Sequence, residues 1–302
     1  MTLEGNETLQ SESQPTVFEA QEATVQEEAA DAASVLAATS RTRARLNSQG
    51  VQRLIPVLVI LAGVVLWQLV TVFQLVPSLF LPSPTTVLQN LQTLITVGLA
   101  QQTLFTDVWI SVARVGVGFL AAVAIGVPLG ILMGWNDVIF KIIDPFMQFI
   151  RPVPPLAYIP LLVVWLGIGE VPKVVLILIG SLPVIIISTV SGVRSTPIQR
   201  IRVAQCLGAN PFQLFFYTIL PSALPEIFTG MRVGIGIAWS CLVAAELIAA
   251  SAGLGWLVEY AGQNLQVGVI FVGIIAIGLS GYLMELIIRG LESVVVPWKG
   301  RG

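Results

Sequence analysis

Residues Val115–Met133 read VGVGFLAAVAIGVPLGILM, nineteen positions without a charge, entered at Arg114 and left at Trp135-Asn136-Asp137. A helix needs about 20 mostly apolar residues to cross the ~30 Å hydrocarbon layer of a bilayer. This stretch has that length and composition, and so do others along the chain. Leu54–Val76 and Val174–Val190 carry no charge, and Val233–Ala252 and Val269–Leu286 carry at most one acid each, Glu246 and Glu285. A sixth span is expected from Pro152 to Gly169, begun among Pro152, Pro154 and Pro155 and kinked at Pro160. The whole chain of 302 residues is 55% hydrophobic and 11% charged, with a mean hydropathy of +0.88. A single soluble core stops growing near ~250–300 residues and could not hide that much apolar surface. The fold class is therefore all-α and integral to a membrane, with about six transmembrane helices.

Charge is placed unevenly. Residues 1–40 hold eight acids and no base, which leaves fifteen bases against nine acids in the rest. The acidic stretch, poor in apolar residues, predicts a disordered cytoplasmic tail over 1–45. No basic segment precedes a short apolar core there, so it does not read as a secretory signal. The transmembrane domain is expected over 46–292 and a short cytoplasmic tail over 293–302. Arg41, Arg43, Arg45 and Arg53 flank the first span, and Arg289, Lys299 and Arg301 follow the last. Positive residues stay on the cytoplasmic side, so both termini are expected inside. Glu170-Val171-Pro172-Lys173 then forms a brief outer turn.

Thr85–Leu99 places Val87, Leu88, Leu91, Leu94 and Ile95 at helical spacing with polar residues between, which predicts an amphipathic helix along the outer surface. Gly126, Gly130 and Gly134 recur every fourth residue, a spacing that lets helix backbones approach closely in lipid. Cys206 falls in a polar loop and Cys241 in a span, which argues against a disulfide. With no histidine in the chain, the commonest metal ligand is missing, and no metal, cofactor or nucleic-acid site is expected. No Gly-x-x-x-x-Gly-Lys-Ser/Thr phosphate loop occurs.

The segment 194–222 is too structured for a plain connector. Thr196-Pro197 reads as an N-cap with proline at the first helical position. Ile198, Ile201, Ala204 and Leu207 can form one apolar stripe, and Gly208 suits the left-handed position after a helix. Asn210-Pro211 repeats the start signal, and a second short helix through Phe212, Phe215, Phe216 and Ile219 is expected to stop at Pro221. The result is a helix–turn–helix knob on the cytoplasmic face.

This segment resembles the EAA loop of ABC-importer permeases, whose pattern is Glu-Ala-Ala, three residues, Gly, nine residues, Ile, one residue, Leu-Pro. Ala204, Gly208, Leu220 and Pro221 match it at the right spacing; Arg202 stands for the Glu, Val203 for the first Ala and Thr218 for the Ile. Pro154-Pro-Leu-Ala-Tyr-Ile-Pro-Leu, Trp165-Leu-Gly-Ile-Gly169 and Thr229-Gly-Met-Arg-Val-Gly-Ile-Gly-Ile-Ala-Trp239 are similar to the nitrate/sulfonate/taurine/bicarbonate branch. The likeness runs from about Leu54 to Arg289. It implies a type I importer permease, an ATPase-coupling loop formed by Arg202, Val203, Ala204, Gly208, Asn210, Leu220 and Pro221, and no ATPase activity in this chain. The implied partners are two ATP-binding cassette subunits that bind ATP and magnesium, a second permease copy, an extracytoplasmic binding protein and the lipid of a bacterial inner membrane. Nitrate with nitrite is the first expected cargo, with bicarbonate, taurine or an alkanesulfonate as alternatives.

Ionisable groups inside spans are costly and point to function. Arg114 is expected near the outer end of the second span. Glu246 lies twenty residues beyond Glu226, about 30 Å along a helix, so it is expected at the same level. The two are read as a pair that braces an outer gate. Trp165, Trp239 and Ser240 are the other candidates for the path. A secondary transporter driven by protons or sodium is the alternative class; it predicts inverted repeats and midplane carboxylates, and neither is evident here.

Overall fold

The computed structural model describes residues 49–100 and 102–298. The expected acidic tail, Arg41, Arg43, Arg45, Lys299 and Arg301 lie outside the described residues. The chain divides into two compact units, Met1–Leu69 and Val70–Gly302. In the first, the described part is most of helix α1 (Gln49–Val72), whose residues from Ile55 to Leu66 are nearly all exposed and uncharged, as a lipid-facing helix requires.

The second unit is built from helices joined by turns, with no strand among its described residues. Helix α2 (Pro84–Thr96) starts at Ser83, whose hydroxyl accepts the Thr86 N–H, and buries Val87 and Leu94. Helix α3 (Leu104–Trp135) begins eleven residues before the expected span, because Thr103 caps it and nothing before Arg114 breaks it. At about 1.5 Å per residue its 32 residues reach about 48 Å, so both ends project beyond the hydrocarbon. Helix α6 (Glu170–Arg194) runs parallel to α3, and α9 (Leu220–Ala249) packs antiparallel against α6. Helices α10 (Leu254–Gln263) and α11 (Val267–Val295) form a hairpin against α9, with α2 on α11. The last helix passes three residues beyond the expected domain boundary at 292.

The seam between α3 and α6 rests on the glycine periodicity. A Cβ on Gly118 would meet Ile177, one on Gly130 would meet Thr189 and the Ile186 carbonyl, and one on Gly134 would meet Val193, all under 3.0 Å. Gly126 sits against Ile185 in the same row, and Ala122 is fully buried between. Partners four apart on both helices keep the two backbones in contact over almost their whole length.

Three expectations about the spans need correction. The third span is not one helix. Helix α4 (Asp137–Ile150) and the segment Pro155–Leu166 are bent by 88° at the intervening prolines, and the second piece is a 3₁₀ turn (Pro155–Tyr158) followed by α5 (Ile159–Leu166). Five helices among the described residues are long and apolar enough to cross a membrane, or six if the bent pair counts as one span. Pro160 does not kink a helix but starts one, in a first turn whose N–H groups need no intrahelical acceptor. Residues Glu170–Lys173 are not an outer turn either; they are the first turn of α6, where Glu170 suits the positive end of the helix dipole. Lys173 is only 4% exposed and pairs with Glu170.

Candidate functional site

One end of the α3–α6–α9 bundle carries the knob. Helix α7 (Ile198–Cys206) begins at Pro197, not at Thr196, which is buried and caps nothing. Its end is a complete Schellman motif. Gly208 has φ +83°, its N–H donates to the Gln205 carbonyl at 2.9 Å, and the Ala209 N–H reaches the Ala204 carbonyl at 3.0 Å. Asn210 then opens α8 (Pro211–Leu214) with a reciprocal capping box: its Oδ1 accepts the Gln213 N–H at 2.8 Å, and its own N–H donates to Gln213 Oε1 at 3.0 Å.

Pro221 does not stop this second helix. A π turn over Phe215–Ile219 carries the chain directly into α9, with Pro221 in its first turn. The wider turn lets the Leu220 N–H reach the Phe215 carbonyl, just before the proline that has no N–H to give. Leu220 and Pro221 thus join the knob to a long helix instead of closing it off.

The expected single stripe divides in two. Ile201 and Ala204 pack inward on Val193, Leu214, Ile219, Ala223 and Ile227, whereas Ile198, Val203 and Leu207 are exposed. Trp135, the last residue of α3, meets Phe215 edge-on at 5.3 Å. The knob therefore sits on the ends of α3 and α6 and on the start of α9. Arg202 is exposed beside Val203 and forms no ion pair among the described residues. At the same end Arg194 closes α6 by pairing with Asp137 at 2.7 Å and lying 3.9 Å from the Phe140 ring centroid, a contact that reading the sequence missed.

The other end of the same three helices holds a buried ionic cluster. Arg114 of α3 donates through Nη1 to Glu246 of α9 at 2.6 Å and to the Ala252 carbonyl at 2.7 Å. Its Nε and Nη2 grip both oxygens of Glu170 at the start of α6, and Lys173 joins Glu170 at 3.0 Å. The expected pair of Arg114 with Glu246 is formed, and Glu170 and Lys173 are members that reading them as a turn concealed.

The cluster also caps α10. The N–H of Gly253 donates to Asp107 Oδ1 at 2.9 Å, that of Leu254 to Ser111 Oγ at 2.9 Å, and that of Gly255 to Glu246 Oε2 at 2.8 Å. Three of the amides that a helix start leaves unsatisfied thus point at side chains of α3 and α9. Ser111 in turn donates to both oxygens of Glu246, at 2.9 and 3.0 Å. Gly253 (φ +118°) has no room for a Cβ, which would run into the Glu246 carboxyl group and Arg114. Burying ions is offset only when nearly every lone pair and proton finds a partner; among the buried side-chain atoms of this cluster, Asp107 Oδ2 is left without one.

The remaining candidates scatter. Trp165 on α5 is 69% exposed, and Ser240 is exposed on α9 with its hydroxyl bonded back to the Gly236 carbonyl at 3.2 Å. Trp239, expected beside Ser240 on the path, is buried against Gly281 of α11, because adjacent residues point about 100° apart around a helix. Arg232 bridges to Glu285 at 3.3 Å and to Glu292 at 3.7 Å on α11, a link between two spans.

Residues 126–299 match the family model described as the binding-protein-dependent transport system inner membrane component. The chain belongs to this family. Among relatives of the permease, the taurine transport system permease of Escherichia coli K12 is 45% identical over 78% of this chain and 86% of its own. The putative aliphatic sulfonates permease of Bacillus subtilis 168 is 35% identical over 78% and 84%, and the nitrate import permease of Synechocystis is 35% identical over 72% and 81%. A solved structure of the MetNI methionine ABC transporter, inward-facing, overlays with a TM-score of 0.51 at 22% identity, covering 62% of this chain and 95% of that one. The permease thus has the type I importer fold, and it is a multi-pass inner-membrane subunit of an ABC importer.

Proposed function

We propose that two copies of this permease line the path for a small sulfonate, with taurine first. Two ATPase subunits engage the knobs, and a binding protein delivers cargo to the cluster end. The observation that carries this reading is the reach of α3, α6 and α9. Each has one end in contact with the knob and contributes one member of the triad Arg114, Glu170 and Glu246 at the other. A shift at the knob is passed along three closely packed helices to the cluster that holds α10. ATP closing the partner dimer biases a two-state element in this way without any chemistry in the permease.

This orientation puts the knob and both termini in the cytoplasm, as the basic residues near the spans support. The open stretch of α9 at Val233, Gly236 and Ser240 is uncharged and small, which suits passage without tight retention. Sulfonate comes first because identity to the taurine permease is 45%, against 35% for a nitrate permease and 33% for a bicarbonate permease. Nitrate, the first expectation from the sequence, is the second reading. Competition for uptake into proteoliposomes holding the full complex separates them: excess taurine is expected to suppress labelled taurine entry, and nitrate is not. Uptake of nitrate with none of taurine would reverse the order.

A further inference from the structure

The carboxyl-terminal end of α11 returns to the knob. Its helix closes where the Val296 N–H donates to the Glu292 carbonyl at 2.8 Å, and Val296 is buried. Pro297 follows, and Trp298 comes to rest around a cavity of about 280 Å³ shared with Arg200, Tyr217, Thr218, Pro221 and Ser222. Five of those six residues belong to the knob or to the first turn of α9, and the sixth lies more than seventy residues further along the chain.

This surface is unfinished in the single chain. Tyr217 is 81% exposed and Trp298 45% exposed. Arg200 makes only a long contact of 3.5 Å to Ser222 Oγ, and neither it nor Arg202 forms an ion pair among the described residues. Four other arginines of the described bundle, Arg114, Arg194, Arg232 and Arg289, all have carboxylate partners. Exposed aromatic rings beside unmatched arginines are the side chains most enriched at the energetic centre of protein interfaces.

We propose that the docking surface for the ATPase subunit is composite: α7 and the π turn form one half, Trp298 the other, and Arg200 between them takes a carboxylate of the ATPase. The inference rests on the reading of this chain as a permease driven by ATPase subunits. The ATPase is favoured over a lipid headgroup because Tyr217 and Pro221 belong to the knob and to the cavity alike. A protein seated on the knob therefore also covers Trp298. The ATPase would then hold two separate elements, the start of α9 and the end of α11.

The test titrates the ATPase subunit onto the intact permease and its W298A, W298F and R200E variants, in detergent and in nanodiscs of zwitterionic or anionic lipid. W298A and R200E are expected to weaken binding at least tenfold in every medium, with W298F close to wild type and all melting midpoints unchanged. Both residues are exposed, so R200E reads the surface even if W298A loosens the end of α11. Wild-type binding by both W298A and R200E would overturn the composite surface. A loss confined to anionic nanodiscs would overturn it too, in favour of a lipid headgroup. Failure of the wild-type permease to bind any ATPase subunit would instead remove the reading on which the inference rests.

Discussion

Arg114 and Glu246 meet at 2.6 Å although 132 residues separate them, and the same guanidinium grips Glu170, so one side chain ties α3 to both α6 and α9. Removing one partner of a buried ion pair costs about 3–5 kcal/mol, chiefly because the other is left charged and unpaired. Arg114→Ala is therefore expected to lower the melting midpoint of the detergent-purified permease severely. Adding Glu246→Gln should recover part of that loss, since the double variant buries one charge fewer. A double variant as unstable as the sum of the two single ones would contradict the pairing.

The α3–α6 seam makes a contrast between two glycines of one helix. A Cβ at Gly130 would lie 2.6 Å from Thr189 Cβ and 2.9 Å from the Ile186 carbonyl, while at Gly116 it would meet nothing within 4 Å. Gly130→Ala is expected to destabilise by about 1–3 kcal/mol through overpacking. Gly116→Ala should be neutral or slightly stabilising, because alanine favours a helix by about 1 kcal/mol over glycine. Thermal melting of the two variants side by side decides the point, and equal effects would refute the seam.

Gly208 tests backbone conformation apart from space. Its φ is +83° and no atom lies within reach of an added Cβ, so any penalty on Gly208→Ala comes from the left-handed backbone alone, about 1–2 kcal/mol. The change is expected to raise amide exchange at Gly208 and Ala209 while the cluster end stays protected. Gly208→Asn should be milder, since asparagine tolerates that region. Exchange unaltered by alanine would mean that the Schellman turn is not what holds the knob.

The Arg194–Asp137 pair is expected to contribute little. Asp137 is 81% exposed in its side chain, and exposed ion pairs are worth about 0–1 kcal/mol. Asp137→Asn should therefore shift stability by less than about 1 kcal/mol and lose even that in high salt. A large, salt-independent loss would mean that the pair is shielded in the assembled transporter.

Most of the helices were legible because lipid imposes one rule, a long run without charge, and α3, α6, α9 and α11 obey it. Arg114 and Glu246 stood out for the opposite reason, as charges where charge is costly. Glu170 and Lys173 did not, because a Glu-Val-Pro-Lys sequence between two apolar runs reads equally well as a turn or as the first turn of a helix. The broken third span was hidden by the prolines: Pro152, Pro154, Pro155 and Pro160 announce an interruption but not an 88° bend. In the knob, Gly208 and Asn210 were readable since their backbone roles are local. Pro221 was misread because a stop and a π turn leading onward both place proline where an N–H is missing. The capping of α10 by Asp107 and Ser111 joins residues more than 140 positions apart, and no local pattern signals it.

The most direct test of the account is labelled taurine uptake into proteoliposomes holding the permease, its ATPase subunits and its binding protein. Uptake is expected to require ATP inside the compartment that holds the ATPase, to stop when the ATPase subunits are left out, and to ignore imposed ion gradients. Uptake by the permease alone, driven by a proton or sodium gradient and indifferent to ATP, would contradict it.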